Sequence, residues 1–236
     1  MKIRPLPEID LARIAPQPDD MKRRCLEQMR DGRPPFSYKP VRSCLADIFN
    51  VQPELFGPTA HTEWAVIDEI LNRRCRTEDE LLNNRRVARG LFEFALSSGV
   101  SGRRHEFFPL QLGAGQKVTY WLPMILAVDD RPHAVFIEPR RSRGLTKEGR
   151  RFAFSMMHER IRAADEDFAD VGLAILGFHD GDTEKRPVRL FTDEGVDLYV
   201  LDELEAMVAA TYRIWENVCV EREHDTRKGT GTGPLL

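Results

Sequence analysis

Apolar positions change their period along this chain, and the changes mark its elements. Trp64, Ile67, Leu71 and Cys75 recur at near-helical spacing and predict a helix with one face toward a core. Thr77 with Glu80 three residues on is a capping box, in which a hydroxyl and a carboxylate satisfy the first unpaired amides of a second helix. That helix runs to Leu96, and Gly99 ends it. From Glu106 the period shortens. EFFPLQLG, KVTYWLPMILAV and HAVFIEP are rich in β-branched and aromatic residues and are parted by the turn sequences GAGQ and DDRP, which predicts a three-strand meander. The second and third strands are almost continuously apolar, so both of their faces should be covered. Thr146 can cap a long helix carrying Phe154, Met157, Ile161 and Phe168 on one side. VGLAILGF then reads as a buried strand, VRLFT as a further short one, and residues 200–218 as a helix bearing Leu204, Met207, Val208, Tyr212 and Trp215. The expected fold is mixed α/β, a central mixed sheet flanked by helices.

The pattern also divides the chain. Residues 1–58 are rich in proline and basic residues, with a short amphipathic piece near Asp20 to Arg30, and read as a partly irregular, mostly helical N-terminal arm. RDGRPPFSYKP within it is a turn and extended segment. Residues 59–220 form the α/β domain with its leading helices. Residues 221–236, EREHDTRKGTGTGPLL, lack a periodic apolar face and are expected to be a disordered tail.

Composition removes several classes of function. With 42% hydrophobic and 31% charged residues the chain is globular, not disordered. No run approaches the roughly 20 apolar residues needed to cross a bilayer, and the N-terminus lacks a secretory signal's apolar centre, so a cytoplasmic protein without a membrane role is expected. Cys25, Cys44, Cys75 and Cys219 are scattered and read as free thiols, not a zinc knuckle or a disulfide framework. His61, His105, His133, His158, His179 and His224 show no metal-ligand spacing. Ser155 with His158 lacks a third catalytic partner, and GAGQ lacks the helix of a dinucleotide loop. Trp64, Trp121 and Trp215 fall on apolar faces and read as core.

On the order of its motifs, roughly from Thr77 to Phe191, the chain resembles the PD-(D/E)xK, or restriction-endonuclease-like, nuclease superfamily, nearest in layout to its transposase-associated branch. In that family a helix precedes a strand meander whose second strand carries Pro-Asp and whose third carries Glu or Asp, one residue, then Lys. YWLPMILAV and VFIEPRR stand at those two places. The resemblance implies a restriction-endonuclease-like core in which two carboxylates hold Mg2+ and a lysine assists the attacking water. Here Met124 stands at the aspartate position, Pro139 lies between the pair, and Arg140 replaces lysine, a fork suited to phosphate but unable to move a proton. Glu138 and Arg140 are therefore remnant catalytic positions in a degenerate site. Glu93 resembles an acid that some members contribute from the preceding helix, while Asp129 and Asp130 belong to the hairpin turn at the wrong end of the strand.

The segment EPRRSRGLTKEGRR places Arg140, Arg141, Arg143, Lys147, Arg150 and Arg151 at a strand end and a helix start, a candidate nucleic-acid-binding lip. Its bland alternative is a solvated connector paired with acidic surface. The net charge of −3 excludes a uniformly basic nucleic-acid binder and leaves local patches. The expected function is therefore binding of nucleic acid or of a protein partner by a degenerate nuclease fold, with no metal and no cofactor. Two alternatives stay open. One is an active metal-dependent endonuclease with relocated ligands, the only reading that needs Mg2+; the other is a structural protein that forms homo-oligomers.

Overall fold

The computed structural model describes residues 5–29, 37–51, 61–112, 116–179 and 184–229, with backbone only for 225–229. The turns expected at 30–36 and 113–115, the division at residue 58 and residues 230–236 lie outside the described residues. The fold is mixed α/β, with a five-stranded mixed sheet between two sets of helices. Four N-terminal helices, α1 (Glu8–Ile14), α2 (Asp19–Glu27), α3 (Lys39–Arg42) and α4 (Leu45–Ile48), are followed by α5 (Trp64–Arg74) and α6 (Glu78–Ser97). The strands are β1 (Ser101–Arg104), β2 (Leu110–Leu112), β3 (Gln116–Val118), β4 (Met124–Val128) and β5 (Arg131–Ile137). After α7 (Lys147–Met157) come β6 (Gly172–Phe178), β7 (Val188–Thr192) and α8 (Leu201–Gly229).

The large sheet runs β1-β4-β5-β6-β7; only β5 and β6 are parallel, and α7 lies between them in sequence, as a parallel crossover requires. Side chains one residue apart on a strand point to opposite faces, which sorts the core into two clusters. Ala134 and Phe136 of β5 and Leu173 and Ile175 of β6 join α1, α2, α7 and α8, whereas Val135, Ile137, Ala174 and Leu176 join α3 to α6. Both faces of the central strands are covered, so near-continuous apolar runs were the right signature. Each fully buried Leu or Phe here contributes about 1.5–3 kcal/mol through water exclusion.

Local signals explain the boundaries. Thr77 Oγ1 accepts the Glu80 N–H at 3.1 Å and Thr146 Oγ1 accepts the Gly149 N–H at 3.0 Å, so both expected caps form. Only half of the capping box closes, since Glu80 turns its carboxylate elsewhere. Asp129 and Asp130 both have positive φ, 50° and 59°, which gives the two-residue β4–β5 turn the handedness that matches strand twist.

Four expectations are corrected. The meander is not one continuous set: β2 pairs only with β3 in a separate small hairpin, and the edge beside β4 is taken by β1, the polar stretch SGRR. Pro123, with no N–H for a ladder, splits KVTYWLPMILAV into β3 and β4. The long helix after Thr146 stops at Met157, continues as an i→i+5 turn over His158–Arg162, and restarts as a 3-10 turn that Asp165 caps. The N-terminal region is mostly helical, as expected, and it packs into the main core: Leu11, Ile14 and Leu26 are fully buried there, and Pro7 and Pro18 stand at helix starts, where no N–H is missed. Finally, α8 passes Glu221 and continues to Gly229. Arg222 donates to the carbonyls of Leu26, Glu27 and Met29 at 3.1, 3.0 and 2.7 Å, polar contacts that leave no apolar period to read.

Candidate functional site

Glu138 follows β5, and its carboxylate is buried, 6% exposed. Oε1 accepts the Arg140 N–H at 2.9 Å and Oε2 the Leu145 N–H at 2.8 Å, so each oxygen closes the loop that leaves the strand. Burial pushes this carboxyl above the usual carboxylate range, against the pull of those two bonds and of Arg140. Arg140 makes a two-pronged ion pair with Asp10 of α1, Nη1 to Oδ1 at 2.7 Å and Nη2 to Oδ2 at 2.9 Å. Arg186, 3% exposed, donates to the carbonyls of Pro139 at 2.6 Å and Arg140 at 3.3 Å. The loop is thus fixed from three sides.

The other positions of the supposed catalytic set are scattered. Met124 opens β4, 6% exposed, within the second core cluster. Glu93 on α6 pairs with Arg89 at 2.9 Å and Lys185 at 2.6 Å, and hydrogen bonding from Lys185 lowers its carboxyl. Asp129 and Asp130 sit in the hairpin turn. Among the described residues, no group of three or more His, Cys, Asp or Glu side chains is placed to hold a metal ion. His158 and Ser155 are not a catalytic pair: Ser155 is fully buried, its hydroxyl donating to the Arg151 carbonyl and accepting the Tyr199 N–H.

The side chains of the basic segment are divided between two clefts and the exposed surface. Arg150 donates to the Leu145 carbonyl and lies over the Phe191 ring, 4.1 Å from its centroid. Arg151 pairs with Asp197 at 2.9 Å and covers Tyr199 at 3.8 Å. Both line a separate cleft with β7. Arg141, Arg143 and Lys147 are exposed without an ion pair among the described residues. Arg140 and Arg141 instead line a cleft of about 740 Å³ with Glu8, Tyr38, Lys39 and Arg42.

The far wall of that cleft is held by α6. Glu80 Oε1 accepts the Ser37 N–H at 3.1 Å and Oε2 the Arg76 N–H at 2.8 Å; these bonds, led by that from Arg76, lower its carboxyl below the usual range. Asn84, fully buried, accepts from Val41 N–H at 3.1 Å and donates to the Ser37 carbonyl at 2.9 Å. Asp10, Asn84 and Arg186 had no signal in the sequence, since their partners on the loop and around α3 lie some 40 to 130 positions away; Glu80 was legible only as a cap residue, and its bond to Ser37, 43 positions away, was not.

A protein-family profile described as "Sliding clamp-binding bacterial toxin SocB" matches residues 9–225. The chain belongs to the SocB family. The SocB protein of Caulobacter vibrioides (strain NA1000 / CB15N), described as a DNA replication inhibitor toxin, is 37% identical over 233 residues, covering 99% of this chain and 97% of that protein. No solved structure matches. The SocB match spans both core clusters and both walls of the cleft, α1 to α8, so the N-terminal helices belong to the family fold and are not an appendage.

Proposed function

We propose that this chain binds the bacterial sliding clamp and inhibits DNA replication through that contact. The observation that carries the reading is the near full-length similarity to a replication inhibitor within a family described by clamp binding. It makes the protein-partner expectation specific. The sequence offers one short stretch with the composition of an apolar docking peptide, QPELFG at 52–57, where Leu55 and Phe56 stand together between Pro53 and Pro58; it lies outside the described residues. Large apolar and aromatic side chains supply the anchors of most peptide contacts. Purified clamp and chain should co-sediment, and Leu55→Ala with Phe56→Ala should weaken the complex about a hundredfold, the loss of two anchors at ~1.4 kcal/mol each. Absence of a complex with the intact chain would defeat the reading.

Two readings accompany it. A helix α6, the antiparallel strands β1-β4-β5, a helix α7 and a further strand β6 support a nuclease-like scaffold turned to binding, with SGRR in the place where EFFPLQLG was expected. Nucleic-acid binding by the basic surface is the second, favoured by Arg141, Arg143 and Lys147, which are exposed and have no ion pair among the described residues.

A further inference from the structure

We infer that the cleft between α3 and the loop after β5 is a phosphate site for a nucleic-acid strand, with Lys39, Arg42 and Arg141 as the residues that hold it. Lys39 and Arg42 stand three apart on a helix whose Pro40 and Val41 are buried, so both cations share the outward face. Arg141 comes from the opposite wall. None of the three has an ion pair among the described residues, whereas Arg140, on the same lining, is already engaged by Asp10. Among the described residues Glu8 is the one acidic side chain on the lining, so three cations without an ion pair there against one acid leave it positive.

The rest of the lining suits a sugar–phosphate backbone. Ser37, Ser142 and Asn83 offer the hydroxyl and amide groups that commonly contact phosphate and sugar, and Tyr38 offers a half-buried ring on which a base can stack. The walls are built before any ligand arrives. Glu80 and Asn84 hold the residues around α3, and Glu138 and Arg186 hold the loop of Arg141, so binding orders few side chains. On a chain of net charge −3, such a site confines polyanion binding to one place.

The inference rests on the nucleic-acid reading and not on the clamp contact. It is tested on the full chain alone, by anisotropy of labelled single- and double-stranded DNA at low salt. Lys39→Ala/Arg42→Ala/Arg141→Ala should weaken binding at least ~tenfold and flatten the log–log salt dependence by about two to three. Arg143→Ala/Lys147→Ala, exposed outside the cleft, should change it less than ~twofold on the same grounds. Circular dichroism checks that the triple variant is folded; if it is not, Arg141→Glu must weaken binding more than Arg143→Glu does. Loss on the second pair alone would leave nucleic-acid binding standing and overturn the cleft. No salt-dependent binding to either DNA, or binding of free nucleoside triphosphate with none to a strand, would overturn both.

Discussion

Two carboxylates, Glu80 and Glu138, do the same job on opposite walls of one cleft and answer it differently. Each accepts two backbone N–H bonds and pins a segment: Ser37 and Arg76 at one wall, Arg140 and Leu145 at the other. At Glu80 the donated bonds outweigh desolvation and lower the carboxyl; at Glu138 desolvation outweighs the bonds and raises it. A buried acid at a strand end is therefore not by itself a metal ligand. It needs further ligands beside it, and among the described residues no group of three or more His, Cys, Asp or Glu is placed to hold an ion, while each Glu138 oxygen accepts a main-chain amide.

The strongest way to break the comparison is to separate the walls. Gly90 of α6 lies against the Arg186 segment so closely that an added Cβ would stand 1.9 Å from the Arg186 carbonyl oxygen, and Arg186 is what ties α6 to the loop at Pro139. Gly90→Ala should destabilise the fold by about 3 kcal/mol, seen in denaturant unfolding, because backbone cannot yield as a side chain tip can. A smaller effect is expected at the outer tie. A double-mutant cycle on Asp10→Ala and Arg140→Ala should return a coupling of about 1–3 kcal/mol for the half-buried, two-pronged pair.

Smaller still are Glu80→Gln and Glu138→Gln, each about 1–2 kcal/mol at neutral pH, since an amide nitrogen cannot accept an N–H. These sharpen the comparison through pH. Glu80 has a folded pKa below its unfolded value of 4.5, so its contribution is full above 4.5 and is lost as pH falls through the lower folded value. The advantage of wild type over Glu80→Gln should shrink on acidification. Glu138 has a folded pKa above 4.5, so the native state holds the extra proton between 4.5 and that higher value, and acidification through this window favours folding. The advantage of wild type over Glu138→Gln should grow there. Unfolding curves across acidic pH check both, and slopes of equal sign would remove the distinction. The smallest effect, ~0.5–1 kcal/mol, is expected for Arg151→Ala, which loses its place over the partly exposed Tyr199.

What could be read in advance was local or periodic. Thr77 and Thr146 announced their caps, Gly99 with φ of 56° its stop, and the apolar runs of β5 and β6 a sheet covered twice. The hidden parts were those made by contacts distant in sequence or by polar groups. SGRR becomes an edge strand only because β4 offers it a partner, and the last turns of α8 are secured by carbonyls of α2. Glu138 was singled out as a remnant catalytic position; that its carboxylate accepts two main-chain amides is something no residue type announces. The arginines were legible as a cluster. Their division between Asp10, Asp197, aromatic rings and open cleft was not, since it depends on what folds back against them.

The function proposed for this chain, a halt to replication through the clamp, needs no cleavage, and Glu138 serves in it by closing the loop after β5. Clamp-dependent primer extension in magnesium tests it most directly, with extension and template integrity followed together. The account predicts that adding the chain halts extension while the template stays whole, and that folded Glu138→Gln halts it too. Template cleavage that disappears with Glu138→Gln, or extension that proceeds unhindered, would contradict it.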